Sequence, residues 1–383
     1  MNKKLEVDLW VNCPECKIKV KQQNLAYHMK HVHNKKIDDT EIKPLETSHN
    51  KRQENKTKKV TSKTTIAIII IIFIIVVASV AIYFLSNLKY SNGQNDKKNY
   101  FVSIDGKGNY SSIQAAIDSA YDDDIIFVSN GTYFENIIIS KSIELVGEDK
   151  NTTIIYGNGS GSVINILADY VKISGFTITN GGPPLSNKDA GIKIGSNFNI
   201  ISDCNISSNT FYGLILYGNP KITDNIIKNN IFSNNKYAGV YTEAAKANNI
   251  SFNTFINNTE YGMYLLDQSD DNMISDNIFT ENKYAIRIKG STINTVIKNQ
   301  IINNIYGLYF CCGAKNNLAY YNVFINNTDY NAKDDPINIW DNGTVGNYWD
   351  DYTGIDTDGD GIGDTPYIIS TSKEDRFPLM KPI

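Results

Sequence analysis

The stretch Asn230-Ile-Phe-Ser-Asn-Asn-Lys-Tyr237-Ala-Gly239 returns as Asn253-Thr-Phe-Ile-Asn-Asn-Thr-Glu-Tyr261-Gly262 and again as Asn277-Ile-Phe-Thr-Glu-Asn-Lys-Tyr284-Ala285. Asn299-Gln-Ile and Asn322-Val-Phe continue the series, at steps of 23, 24, 22 and 23 residues. Tyr212-Gly213, Tyr237-Ala-Gly239, Tyr261-Gly262, Tyr284-Ala285 and Tyr306-Gly307 run in phase as a second marker. A period in the low twenties signals a solenoid. Leucine-rich repeats share that period, but their Leu-x-x-Leu-x-Leu frame is absent. Each unit instead holds short β-branched or aromatic runs separated by Asn, Asp, Ser and Gly, the chemistry of strands and turns. One unit fits one coil of a right-handed, single-stranded parallel β-helix, an all-β fold of about ten coils with strands stacked ~4.8 Å apart. Inward Ile, Val, Leu and Phe fill its core. Asn is expected at the corners, tolerating the left-handed conformation and hydrogen-bonding from coil to coil. The repeated Asn and Gly are therefore read as serving stacking.

Alternation along each strand assigns an outer face. After each marker Gly or Ala the second residues are Ile215, Tyr241, Tyr264, Arg287 and Tyr309, and the fourth are Tyr217, Glu243, Leu266, Lys289 and Cys311. Tyr241, Tyr264, Arg287 and Tyr309, with Glu243 and Lys289, are the candidate ligand face: aromatics in line suit sugar rings, and the bases suit uronate or sulfate groups. No two acids fall on adjacent coils of this face. Asp267, Asp270 and Asp271 beside it keep a polysaccharide lyase or hydrolase as an alternative to binding, as is a purely structural or adhesive scaffold.

The solenoid extends over residues 99–333, and a C-terminal cap over 334–383. In the cap, Asp356-Thr-Asp-Gly-Asp-Gly-Ile-Gly-Asp places Asp356, Asp358, Asp360 and Asp364 at positions 1, 3, 5 and 9 of a calcium-loop spacing, with Gly361 at the sharp turn. Tyr367 takes the position of the bidentate Glu, so the loop is no EF-hand and is nearer to shorter DxDxDG loops. Calcium is the expected ion. Trp340, Tyr348, Trp349 and Tyr352 are expected to cover the last coil.

Upstream the chain changes character. Residues 1–64 carry 15 Lys and Arg against 8 Asp and Glu, a net of +7 in a 383-residue chain whose total is −4. Residues 65–85 hold no charge and are long enough to cross the ~30 Å hydrocarbon core as one helix. The preceding basic flank puts the N-terminus in the cytoplasm and the solenoid outside, as a single-pass cell-membrane protein. Residues 35–64 read as a basic disordered linker and 86–98 as a polar spacer. Within residues 1–34, Cys13-Pro-Glu-Cys16, His28 and His33 give the spacing C-x2-C-x11-H-x4-H, with His31 an alternative fourth ligand. This resembles a C2H2 zinc finger, which implies zinc at Cys13, Cys16, His28 and His33. A lone finger offers little DNA specificity, so its expected partner is a cytoplasmic protein rather than nucleic acid.

The opening of the outer part, Tyr100-Phe-Val-Ser-Ile, the helical Tyr110-Ser-Ser-Ile-Gln-Ala-Ala-Ile-Asp-Ser-Ala and Ile125-Ile-Phe-Val, resembles the start of PbH1/NosD-like β-helix proteins, also grouped as carbohydrate-binding and sugar-hydrolysis domains. The segment Trp340-Asp-Asn-Gly-Thr-Val-Gly-Asn-Tyr-Trp349 carries the same resemblance at the other end. It implies a helix capping the first coil and a polysaccharide or cell-envelope ligand. It also implies copper delivery, which the residues do not support. All four His (His28, His31, His33, His49) lie in the N-terminal region, and Met263, Met273, Met380 and the pair Cys311-Cys312 are the few soft donors beyond the span.

Overall fold

The computed structural model describes Trp10–Asn12, Lys19–Lys21 and residues 97–183, 188–335 and 337–382. The chain divides into two units, Met1–Gly93 and Gln94–Ile383. In the first, Trp10–Asn12 pairs antiparallel with Lys19–Lys21, Trp10 opposite Lys21 and Asn12 opposite Lys19. Cys13, Cys16, His28, His33, the linker 35–64 and the expected span 65–85 lie outside the described residues. Among the described residues no helix is long and apolar enough to cross a membrane.

The second unit is a parallel β-solenoid with sheets of ten, ten and nine strands, in keeping with the expected ten or so coils. One turn places Asn249–Ser251 in the first sheet, Thr254–Ile256 in the second and Tyr261–Leu266 in the third. The next turn repeats this with Met273–Ser275, Ile278–Thr280 and Tyr284–Lys289. Register is kept residue by residue, so Phe255 lies on Phe279 and Tyr264 on Arg287. Like therefore stacks on like inside. Phe232, Phe255 and Phe279 stack with ring centroids 5.0 and 4.5 Å apart, and Phe324 stacks on Trp349 at 4.4 Å. The Asn-x-Phe of the repeat is this internal ring column. The marker Gly has a steric reason at Gly307, where a Cβ would lie 2.0 Å from the Asn331 carbonyl oxygen.

Each corner carries its own asparagine ladder. Between the first and second sheets, Asn230, Asn253, Asn277, Asn299, Asn322 and Asn347 pass an amide hydrogen bond from turn to turn. Asn209, Asn235, Asn258, Asn282, Asn304 and Asn327 do the same between the second and third. Asn199 through Asn225, Asn248, Asn272, Asn294, Asn317 and Asn338 complete the third corner. Each side-chain oxygen also accepts the backbone N–H of the ladder residue one turn back, as in Asn253 N to Asn277 Oδ1 at 2.9 Å. Sequence reasoning gave the ladder and the left-handed corner to one residue. The structure separates them: the residue before the ladder Asn takes the positive φ, for instance Phe252 before Asn253 and Asp276 before Asn277. The ladder Asn must point inward to reach its neighbours, so the outward reversal falls on the preceding position.

A ladder runs out of acceptors at its last amide, and here each ends on a carboxylate. Asn338 Nδ2 donates to Asp334 at 2.8 Å, and Asn347 donates from N and Nδ2 to Asp375 at 2.6 and 3.3 Å. Asn327 bonds Asn331, which donates to Asp350 and Asp351 at 2.9 and 3.0 Å. At the opposite end the expected capping helix is present, α1 (Ile113–Ser119), with Ile113, Ala116 and Ile117 buried. It also pairs a raw strand edge: Ile138 N–H donates to Gln114 Oε1 at 2.8 Å, and Gln114 Nε2 donates to Ile138 O at 3.3 Å. Trp340 and Trp349 are buried over the last coil, as expected.

Candidate functional site

The third sheet sends two columns of side chains outward. Pairing stacks Lys193, Ile215, Tyr241, Tyr264, Arg287, Tyr309 and Lys333 on successive turns, so the expected column is in register. The second column, three residues earlier in each strand, is Tyr212, Ala238, Tyr261, Tyr284, Tyr306 and Tyr330. Sequence reasoning treated these tyrosines as phase markers and missed them as a face. Alternation hid them: they stand three residues before the chosen column, an odd spacing that a strict period of two puts on the opposite side, yet Tyr212 and Tyr261 pack with Tyr241 and Tyr264 in one cluster.

Exposure differs from the expectation along the column. Tyr241 and Tyr264 point away from the core yet keep only 4% and 7% of their surface. The neighbouring column fills the space beside them, with ring centroids 4.5 Å apart for Tyr212–Tyr241 and 4.6 Å for Tyr261–Tyr264. With Ile215 they form a second apolar cluster outside the coil. Lys188 reaches over it, 4.1 Å from the Tyr217 ring and 5.7 Å from the Tyr241 ring, and pairs with Glu243, which also accepts from Tyr241 Oη at 2.9 Å. Burial pushes the hydroxyls of Tyr212, Tyr241 and Tyr264 well above the usual phenol range, so they stay neutral. Glu243 and the first half of the expected strip are thus packed structure.

The second half is open. Tyr284, Arg287, Lys289, Tyr306, Tyr309 and Tyr330 are half-buried and Lys333 is exposed. Arg287 lies among four rings, 5.4 Å from Tyr264, 5.5 Å from Tyr309, 5.8 Å from Tyr284 and 5.9 Å from Tyr261. Its Nη1 donates to Tyr261 Oη at 2.9 Å and its Nε to Cys311 Sγ at 3.4 Å. Burial works against its charge, but these bonds outweigh it and raise its pKa. Lys333 adds a cation 5.0 Å from the Tyr309 ring, and Tyr309 donates to Asp335. This half is an aromatic wall carrying Arg287, Lys289 and Lys333 within three turns.

Of the nearby acids Asp270 and Glu260 are engaged, whereas Asp267 and Asp271 are exposed. Asp270 pairs with Lys221 at 3.1 Å and accepts from Thr292 N and Oγ1, while Glu260 pairs with Lys283 at 2.8 Å. In the C-terminal cap, ligand atoms of Asp356, Asp358 and Asp360 lie within 4.8 Å of one another. Gly359 and Gly361 take φ of +77° and +88°, which suits the tight loop. Asp364 does not join the other three; its carboxylate accepts from Thr357 N–H at 2.9 Å and from the Thr357 hydroxyl. Three of the four expected donors thus fit a hard cation.

These features define a parallel β-solenoid with a cationic, tyrosine-walled outer face and an acidic cap loop. The chain belongs to the family described as periplasmic copper-binding protein (NosD), which matches residues 118–354. It is 28% identical over 136 residues to pectinesterase 3 of Solanum lycopersicum, covering 32% of this chain and 25% of that protein. It is 34% identical over 86 residues to a probable ABC transporter binding protein NosD of Pseudomonas aeruginosa, covering 22% and 20%. The chain thus spans a quarter or less of the length of the curated relatives it matches. The solved complex of XylC with xylose shares its fold, with a TM-score of 0.52 at 12% identity over 66% of this chain and 71% of that one. The family's copper does not fit the described residues. Met263 is sealed in the core, Cys311 is buried with its thiol pushed up to about 11 by burial, and adjacent Cys312 is exposed. Among the described residues the sole cluster of three metal-ligating side chains is the all-oxygen Asp356–Asp358–Asp360 group, the wrong donors for a soft ion.

Proposed function

We propose that this chain is a membrane-anchored cell-surface protein that binds anionic polysaccharide or envelope glycan along the open half of the third sheet. The observation that carries it is Arg287 set among Tyr261, Tyr264, Tyr284 and Tyr309, with Lys289 and Lys333 alongside. The half-buried rings of Tyr284 and Tyr309 leave a stacking surface for pyranose faces, and fixed cations meet uronate carboxylates. The ion-paired Glu243, Glu260 and Asp270 support binding over lyase or hydrolase chemistry, which needs an available acid or base. The full chain should be retained on immobilised polygalacturonate and release no shorter products. Product release would replace binding with catalysis, and absence of both would leave a scaffold.

We further propose calcium at Asp356, Asp358 and Asp360, with Asp364 bracing the loop through Thr357. Zinc at Cys13, Cys16, His28 and His33 is supported by the antiparallel strands that bracket the cysteine pair. Cys16→Ser should abolish stoichiometric zinc in the purified chain. Residues 65–85 would anchor it, with residues 1–64 cytoplasmic; protease added to intact cells should remove the solenoid and spare the N-terminal unit.

A further inference from the structure

The corner between the first and second sheets carries one left-handed residue per turn. Asp203, Asn229, Phe252, Asp276, Lys298 and Tyr321 have φ of 53°, 57°, 57°, 56°, 55° and 57°. That conformation is unfavourable for an ordinary residue, and Asn and Asp tolerate it best. Asp203, Asn229 and Asp276 therefore suit the corner, whereas Phe252 and Tyr321 do not. Burial does not offset the strain at Phe252, which is 60% exposed. Successive turns lie ~4.8 Å apart, so the two rings bracket about 14 Å of corner, with Asp276 and Lys298 on the turns between them. Together with Gln300 and Val323 these four residues line a groove of about 660 Å³. Within the described residues the side chains of Asp276, Lys298 and Gln300 make no hydrogen bond or ion pair. The left-handed turn belongs to every corner of the solenoid; what sets this one apart is a groove whose polar side chains are unengaged between two aromatic rings.

We propose that this corner groove is a second glycan site and that it takes a neutral oligosaccharide. The inference rests on the reading of the protein as a glycan binder, but places a different ligand on a different surface. The charges of Asp276 and Lys298 cancel, so the floor has no net pull on a uronate, unlike the wall around Arg287. Asp276 offers acceptors, Lys298 donors and Gln300 both, a set matched to sugar hydroxyls. Phe252 and Tyr321 supply apolar faces at the two ends. The length suits a tri- or tetrasaccharide running along the solenoid axis.

The test titrates the full chain with cellotetraose and xylotetraose as neutral probes and with tetragalacturonate as the anionic one, read by saturation-transfer NMR and calorimetry. A neutral probe should bind, and Phe252→Asn should weaken it at least tenfold while holding or raising the melting temperature, since Asn suits the left-handed corner. Gln300→Ala, at an exposed strand position, should weaken the same probe several-fold without altering the fold. Lys289→Ala should weaken tetragalacturonate and leave the neutral probe unchanged. Binding of tetragalacturonate alone overturns the corner site and leaves the third-sheet reading standing. Binding of a neutral probe alone does the reverse. A lower melting temperature in Phe252→Asn makes the ring structural, and undiminished neutral binding in both corner variants places the ligand elsewhere; either result sinks the proposal.

Discussion

The asparagine corners and the outer column of the third sheet stack on the same coils, yet they use sequence in opposite ways. A ladder position keeps one residue over six or seven turns, because each amide must both accept from one neighbour and donate to the next. The outer column reads Lys193, Ile215, Tyr241, Tyr264, Arg287, Tyr309, Lys333 in the same register. There, the backbone hydrogen bonds keep register whatever the side chain, so the side chain can change from turn to turn. Constancy along a ladder thus marks structure, and variation along the outer column leaves its open half, from Arg287 to Lys333, available for recognition.

The comparison breaks first at the ladder. Asn277 makes four side-chain hydrogen bonds: it accepts from Asn253 N and Nδ2 and donates to Ile250 O and Asn299 Oδ1. Asn277→Ala leaves those partners buried and unsatisfied, at a cost of roughly 3–5 kcal/mol of unfolding free energy. Denaturant titration reads this, and a loss below about 1 kcal/mol would mean that water replaces the amide at no penalty.

The ladder's last acceptor gives the next effect. Burial raises the Asp375 carboxyl to about 6, against the opposing bonds from Asn347, Trp349 and Phe377. Its folded pKa lies above the unfolded value near ~3.9, so its contribution is full below about pH 4 and is lost as pH rises to about 6, a change of roughly 2–3 kcal/mol. Stability should fall across that window and level off above it. Asp375→Asn should flatten most of the slope, leaving the smaller part due to Asp334, which burial also raises. An unchanged slope in Asp375→Asn would move the titration to other groups.

The coil and its phase were legible in the sequence because ladder and ring column repeat the same residues at a fixed period. The capping helix was legible from the spacing of Ile113, Ala116 and Ile117. Register along the third sheet followed from alternation. Exposure did not: alternation tells which side of a strand a residue takes, but not that Tyr212 and Tyr261 from the adjacent column would seal Tyr241 and Tyr264. Reach across turns was equally hidden. Nothing local in the sequence announces that Lys188 will meet Glu243, 55 residues away, or that Asp364 will turn to Thr357 rather than to the other three carboxylates.

The acidic loop extends the comparison to a place where one residue type recurs within a turn rather than between turns. Asp356, Asp358 and Asp360 repel one another unless a cation neutralises them. Millimolar calcium should therefore raise the unfolding free energy by about 1–2 kcal/mol, as a ligand selective for the folded state does. Asp358→Ala combined with Asp360→Ala should erase that gain, whereas Asp364→Ala should only reduce it. An equal response in all three chains would place the calcium elsewhere.

The smallest effect on stability is expected at Lys289, and it separates the two uses of stacking most sharply. Lys289 lies in register between Leu266 and Cys311, half-buried, and makes no hydrogen bond or ion pair within the described residues. Its removal breaks no hydrogen bond or ion pair, so Lys289→Ala should leave unfolding free energy within about 0.5 kcal/mol of the parent. Retention on polygalacturonate should nevertheless fall several-fold, and the loss should shrink as salt rises, because a charge in contact with solvent acts through a screened field. Arg287→Ala removes the same sign of charge together with its bonds to Tyr261 and Cys311, so it should weaken both retention and fold. If Lys289→Ala and Arg287→Ala change stability alike and leave retention untouched, the varied column is as structural as the ladders and the glycan belongs on another face.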